Sequence, residues 1–144
     1  MSCLGLIILL AGCRKQPIGL AAVSVPALDS QATSSDAGLT LDSSGGVLLS
    51  WIGGDTNDLA LYVARSADHG VTWSAATRVA GGAAAPGEVH PHGESSPRVV
   101  AGPGENVAIT WANSVPAPSR KWPAAMMRFS RSGDGGKSWS APVT

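Results

Sequence analysis

Eight residues, Ser66-Ala-Asp68-His-Gly70-Val-Thr72-Trp73, return at 132–139 as Ser132-Gly-Asp134-Gly-Gly136-Lys-Ser138-Trp139. The shared pattern, Ser-x-Asp-x-Gly-x-Thr/Ser-Trp, is a run of turn residues closed by one large aromatic. A short carboxylate in such a segment accepts backbone N–H groups across the turn. Gly70 and Gly136 supply a positive φ that a residue with a Cβ resists. The following Thr72 or Ser138 bonds within the loop, and Trp73 and Trp139 are expected to open the next strand and bury their rings between sheets. A catalytic aspartate has no reason to recur 66 residues later. Asp68 and Asp134 are therefore read as architecture.

The surroundings repeat as well. "LTLDSSGGVLLSW" (39–51) aligns without gaps to "VVAGPGENVAITW" (99–111), and "LALYVARSADHGVTWSA" (59–75) to "AMMRFSRSGDGGKSWSA" (125–141). Each copy offers four short β-prone segments. The first set is about 38–42, 46–52, 59–66 and 72–79; the second is about 97–102, 106–112, 125–132 and 138–143. Alternation in "VLLSW" and "VAITW" and their Val, Ile, Thr and Trp content support strands. With 18 Gly, 10 Pro and only 14% charged residues, the chain suits an all-β protein rich in turns. A four-stranded unit recurring at this length predicts antiparallel propeller blades, over 37–80 and 97–144 with a connecting loop at 81–96. A lone blade cannot bury both faces, so blades must stack around an axis.

On these residues the chain resembles the Asp-box, or bacterial neuraminidase, repeats of sialidase-like β-propellers, a family with catalytic and non-catalytic members. Both copies match at each defining position: Ser66, Asp68, Gly70, Thr72, Trp73 and Ser132, Asp134, Gly136, Ser138, Trp139. The resemblance implies a six-bladed wheel, of which about two blades are present. The remaining blades are expected from a longer chain or from other subunits. It also implies that the Asp-box turns lie on the face opposite any active site.

The top face is then built from 52–58, 80–96 and 112–124. "GEVHPHGESSPR" (87–98) sets Glu88, His90, His92 and Glu94 at one parity, with Arg98 leading into an inner strand. No zinc spacing is present, Pro91 and Gly93 interrupt the alternation, and no metal or cofactor is expected. The expected ligand contacts are His90, His92, Glu94 and Arg98, with Asp55 from 52–58 and Arg120 and Trp122 from 112–124. A cation beside an aromatic ring suits an anionic or sugar ligand. Catalytic residues are not assignable. Family enzymes carry an Arg-Ile-Pro motif whose arginine clamps the substrate carboxylate. Aligning Pro97 on that proline puts Ser95 where arginine should be. "WAN" (111–113) does not match the family's Glu-Gly-Arg, and Tyr62, the single tyrosine, does not match its nucleophile.

The N-terminus reads differently from the rest. "LGLIILLAG" (4–12) is too short to span a bilayer and long enough for a signal-peptide core. It runs into Leu10-Ala11-Gly12-Cys13, which resembles a bacterial lipobox. Residues 1–12 are expected to be cleaved, Cys13 lipidated, and 13–36 to serve as a tether. Arg14, where an inner-membrane retention signal has Asp, favours an outer-membrane or surface destination over a periplasm-facing inner-membrane one. The alternative for this stretch is a short buried helix followed by a free cysteine. Ten Lys+Arg balance ten Asp+Glu, which argues against nucleic acid as a partner. Two functions remain: a lipid-anchored propeller binding or hydrolysing glycans in the exo-sialidase manner, or a non-catalytic scaffold that binds a protein at the cell envelope.

Overall fold

The computed structural model describes residues 34–55, 57–91 and 95–144. The leader, Cys13 and the tether up to residue 33 lie outside these residues, as do His92 and Glu94. The chain is all-β, with two antiparallel sheets formed in sequence order. The first is β1 (Ser34–Leu41), β2 (Val47–Gly53), β3 (Ala60–Ser66) and β4 (Thr77–Gly81); the second is β5 (Arg98–Ala101), β6 (Val107–Val115) and β7 (Ala124–Ser132).

The pleat sorts each sheet into two faces. In the first sheet, Leu48, Ile52, Leu61 and Val63 turn toward the second sheet, which answers with Val99, Val107, Ile109 and Trp111. This shared layer is the main core, and Val89 from the β4–β5 connection closes it. Leu49, Trp51 and Ala64 face the other way and gather Tyr62, Trp73 and Ala76 in a smaller cluster. The Trp51 and Tyr62 rings stack there at 5.6 Å and 20°. The opposite outer surface, on the second sheet, carries Val100, Met127, Phe129 and Val143, all exposed. β1 and β5 run as neighbours, joined by Thr40 Oγ1 donating to the Val99 carbonyl at 2.8 Å.

The second and third strands of each copy fall where the sequence placed them, and the outer ones do not. Trp73 and Trp139 open no strand: β4 begins at Thr77, and in the second sheet the fourth position is a single bridge between Phe129 and Val143. After each Trp a serine ties the chain to the preceding strand first. Ser74 donates its N–H to the Arg65 carbonyl, and Ser140 to that of Arg131, both at 2.8 Å. At the other end, β1 starts at Ser34, inside the expected tether, and shifts register between Ser35 and Gly38. The first part of the connection after β4 is turned, with bonds at Gly82–Ala85 and Ala85–Glu88 folding it back on itself. Gly81 starts that reversal at φ +77°, where a Cβ would collide with the Leu59 carbonyl and Val89.

Trp111 is 1% exposed in the inter-sheet layer, whereas Trp122 is 72% exposed. Trp111→Ala should cost about 3–5 kcal/mol, enough to unfold much of a marginally stable domain. Trp122→Ala should stay within about 0.5 kcal/mol of the parent in denaturant unfolding.

Candidate functional site

A meander places alternate connections at opposite ends of its sheets. The 42–46, 66–76, 102–106 and 132–139 turns therefore share one end. The start of β1, the β2–β3 turn, the 81–97 connection and the β6–β7 turn share the other.

The first end is built by the repeated hairpins. In the first, the Ser66 hydroxyl donates to Asp68 Oδ1 at 2.7 Å and accepts the Gly70 N–H at 2.7 Å. Thr72 donates its N–H to Oδ1 at 2.8 Å and its hydroxyl to Oδ2 at 2.6 Å. The Trp73 indole closes the loop on the Gly70 carbonyl at 3.1 Å. Ser132, Asp134, Gly136, Ser138 and Trp139 make the same bonds at 2.7, 2.8, 2.9, 2.5 and 3.1 Å. One difference is compensated. His69, at φ +59°, offers its Nδ1 to the Gly45 carbonyl at 3.0 Å, where Gly135 offers its backbone N–H to Glu105 at 2.8 Å. The Thr72 hydroxyl, then the Thr72 N–H and Ser66, hold the Asp68 carboxyl down at about 2. Ser138 and Ser132 hold Asp134 lower still. Such carboxylates are locked anions with both oxygens engaged, unfit to move protons.

A cavity of about 620 Å³ opens between the two hairpins, beside Arg65, Trp73 and Lys137. Its arginine is already committed, paired with Asp42 at 2.6 Å and reaching Glu105 at 3.9 Å.

At the opposite end, the groove between β1 and β5 encloses about 490 Å³, lined by Gly38–Thr40 and Ser96–Val100. Here Arg98 is exposed and carries no ion pair among the described residues. Ser96 Oγ donates to Asp36 Oδ1 at 3.4 Å, while Ser35 Oγ reaches Oδ2 at 3.1 Å. Asp36 sits at φ +52° in the β1 irregularity. A cation, a carboxylate and a hydroxyl thus flank one axial groove, a set suited to an anionic polyol.

Of the expected contacts among the described residues, Arg98 alone joins this groove; His92 and Glu94 lie outside them. His90 is exposed at the end of the connection, and Asp55 is exposed on the β2–β3 turn. Arg120 and Trp122 project from the β6–β7 turn, where Lys121 Nζ lies 5.4 Å from the Trp122 ring. Glu88, with the parity of His90, has a structural task. It binds Arg128 at 2.9 Å and the Gly81 N–H at 3.2 Å, and its carbonyl takes the Trp111 indole N–H at 3.3 Å. Asp36 and Ser96 carry no sequence signal; they meet only because β1 and β5 are adjacent.

A solved structure, Hadza microbial sialidase Hz136, superposes on 80% of this chain at a TM-score of 0.55 and 19% identity. The chain spans 26% of that structure's length. No family model and no curated protein matches the chain. The fold is that of a sialidase-like β-propeller, represented by two antiparallel sheets.

Because the folded-state pKa of Asp68 and Asp134 lies below the ordinary value, their stabilisation is complete above about pH 4. It is lost as pH falls through about 2 for Asp68 and lower for Asp134. The Asp68→Asn/Asp134→Asn double variant should be less stable at pH 7. It should also lose less stability than the parent between pH 5 and pH 2, as read by circular dichroism during denaturant titration.

Proposed function

We propose that the chain contributes two Asp-box blades to a lipid-anchored propeller at the bacterial cell envelope, and that the β1–β5 groove binds an acidic sugar at a glycan terminus. The supporting observation is Arg98, a guanidinium without an ion partner among the described residues, beside the groove that Ser96 and Asp36 flank. A guanidinium takes a carboxylate in a charge-assisted, bidentate manner, and neighbouring hydroxyl and carboxylate groups suit ring hydroxyls. Binding is favoured over hydrolysis. The positions that resemble the family's Arg-Ile-Pro hold Ser95 and Pro97, and no activated acid or nucleophile faces the groove among the described residues.

A second reading, the protein-binding scaffold, draws on a different observation. Val100 is 62%, Met127 59% and Val143 54% exposed on one sheet face. A face of this kind calls for a cover, either a further blade of a longer chain or another subunit.

Titration of the full protein with N-acetylneuraminic acid and a sialyl-oligosaccharide should show binding that Arg98→Ala weakens roughly tenfold, the size of one charge-assisted hydrogen bond. A folded protein that binds no acidic glycan would favour the scaffold. Separately, Cys13 should incorporate radiolabelled palmitate in a bacterial host, and Cys13→Ala should abolish both the label and membrane fractionation. A soluble, unlabelled parent protein would remove the anchor.

A further inference from the structure

The second copy of the repeat is six residues longer than the first between its Trp111 and its hairpin. By the alignment that sets Trp51 on Trp111, β2 ends at Gly53, which corresponds to Asn113, whereas β6 continues to Val115. β3 begins at Ala60, which corresponds to Met126, whereas β7 begins two residues earlier, at Ala124. The turn between them has eight residues, 116–123, against six at 54–59. Two residues in each strand and two in the turn account for the whole difference.

The added length builds an arm. β1 flanks β2 to its last residue, Ser34 opposite Gly53, but β5 starts at Arg98, opposite Thr110. Residues 111–115 therefore pair with β7 alone among the described residues, and they reach about 16 Å beyond Arg98 at the usual rise of a strand. The base of the arm is fixed. Trp111 is buried with its indole on the Glu88 carbonyl, and Arg128 opposite it is paired with the Glu88 carboxylate. The tip is outside: residues 118–123 are all exposed, stiffened by Pro118 and Pro123 and by the Arg120 N–H donating to the Ala117 carbonyl at 2.8 Å.

Three consecutive side chains occupy that tip. Arg120 and Lys121 have no ion pair among the described residues, and the Trp122 indole is 72% exposed with Lys121 Nζ 5.4 Å from its ring. The corresponding turn of the first copy carries Asp55 and Asp58 instead, so the fold does not require this chemistry. A sugar site sets hydrogen-bond acceptors around its aromatic ring. Here the side chains offer cationic donors and one hydroxyl, Ser119, and the prolines offer no N–H. Trp beside Arg and Lys is the set that settles at the headgroup level of an anionic bilayer. β1 also begins at this end, so the chain before Ser34 joins the sheets on the side from which the arm projects.

We propose that the β6–β7 arm is a membrane-surface contact, in which Trp122 enters the interface of an anionic phospholipid leaflet while Arg120 and Lys121 meet its phosphates. The contact is independent of what the β1–β5 groove binds and of lipid on Cys13. It turns the end of the sheets that bears the groove toward the bilayer.

The test mixes the full protein with vesicles of phosphatidylcholine, alone or with phosphatidylglycerol, and with lipids brominated near the headgroup. Anionic vesicles should shift Trp122 emission to the blue and brominated lipid should quench it, both signals vanishing in Trp122→Phe. The ratio of partitioning into anionic over neutral vesicles cancels the effect of any acyl chain. The Arg120→Gln/Lys121→Gln double variant should lower that ratio about thirtyfold, the weight of two cations at a charged leaflet. Raised salt should do the same to the parent. All variants should unfold in denaturant with the parent, because the tip is exposed. Trp122 emission that neither shifts nor is quenched on anionic vesicles, or a ratio unchanged by the double variant, would overturn the proposal. So would a Trp122 shift evoked by a sialyl-oligosaccharide and not by vesicles, which would make the tip a glycan contact.

Discussion

Everything in this molecule depends on one constraint: its sheets are apolar on both faces, so neither can exist without a neighbour on each side. The layer holding Ile109, Trp111, Leu48 and Leu61 shows how a pair of sheets meets that demand. Side chains interdigitate across the gap, and the connection between the sheets folds back to plug it with Val89. Glu88 makes the plug hold. Its carboxylate joins Arg128 on β7 to the start of the connection at Gly81, and its carbonyl removes the one polar liability of a buried indole. A hydrophobic layer alone would allow sliding; the ion pair and the indole bond fix the position of one sheet on the other.

The two hairpins solve a smaller problem in the same spirit. Leaving the third strand, the chain must turn tightly without abandoning backbone donors to water. Asp68 and Asp134 collect those donors on a single carboxylate each, and the serine two residues earlier holds the carboxylate in place. The indole then caps the glycine carbonyl, so the aromatic is anchored through its polar edge before its flat face packs. That order explains why the strand after each Trp starts late or barely forms. The residues just beyond the ring, Ser74 and Ser140, are already bonded to the preceding strand.

This is where sequence reasoning reached its limit. Period-two alternation with Val, Ile, Thr and Trp made β2 and β6 legible, because their sides are dictated by the core, and the internal repeat placed β3 and β7 beside them. The echo of Ser66–Trp73 in Ser132–Trp139 made the end bearing the hairpins legible as well. The outer strands were not, since loop hydrogen bonds decided their limits. The shared parity of Glu88 and His90, interrupted by Pro91, reads as part of a connecting loop, and turn bonds at Ala85 and Glu88 curl that part of the segment. Arg98 was visible as a charge leading into an inner strand. Asp36 and Ser96, 60 residues apart and bracketed by no motif, acquire meaning only when β1 lies against β5.

That adjacency also argues for where chemistry belongs in this fold. Hydrogen bonds saturate the aspartates at the hairpin end: Asp42 is held by Ser44, Arg65 and Gly46, and the hairpin aspartates by their own loops. A carboxylate so satisfied is worth more to the fold than to a ligand, because any incoming group must break two or three bonds to gain one. At the axial groove the balance reverses. Asp36 accepts one long bond from Ser96 and one from its neighbour Ser35, and Arg98 has no carboxylate partner among the described residues. Groups left incompletely satisfied at the edge of a rigid pair of sheets have capacity for a partner, and the sheets hold them still while it binds.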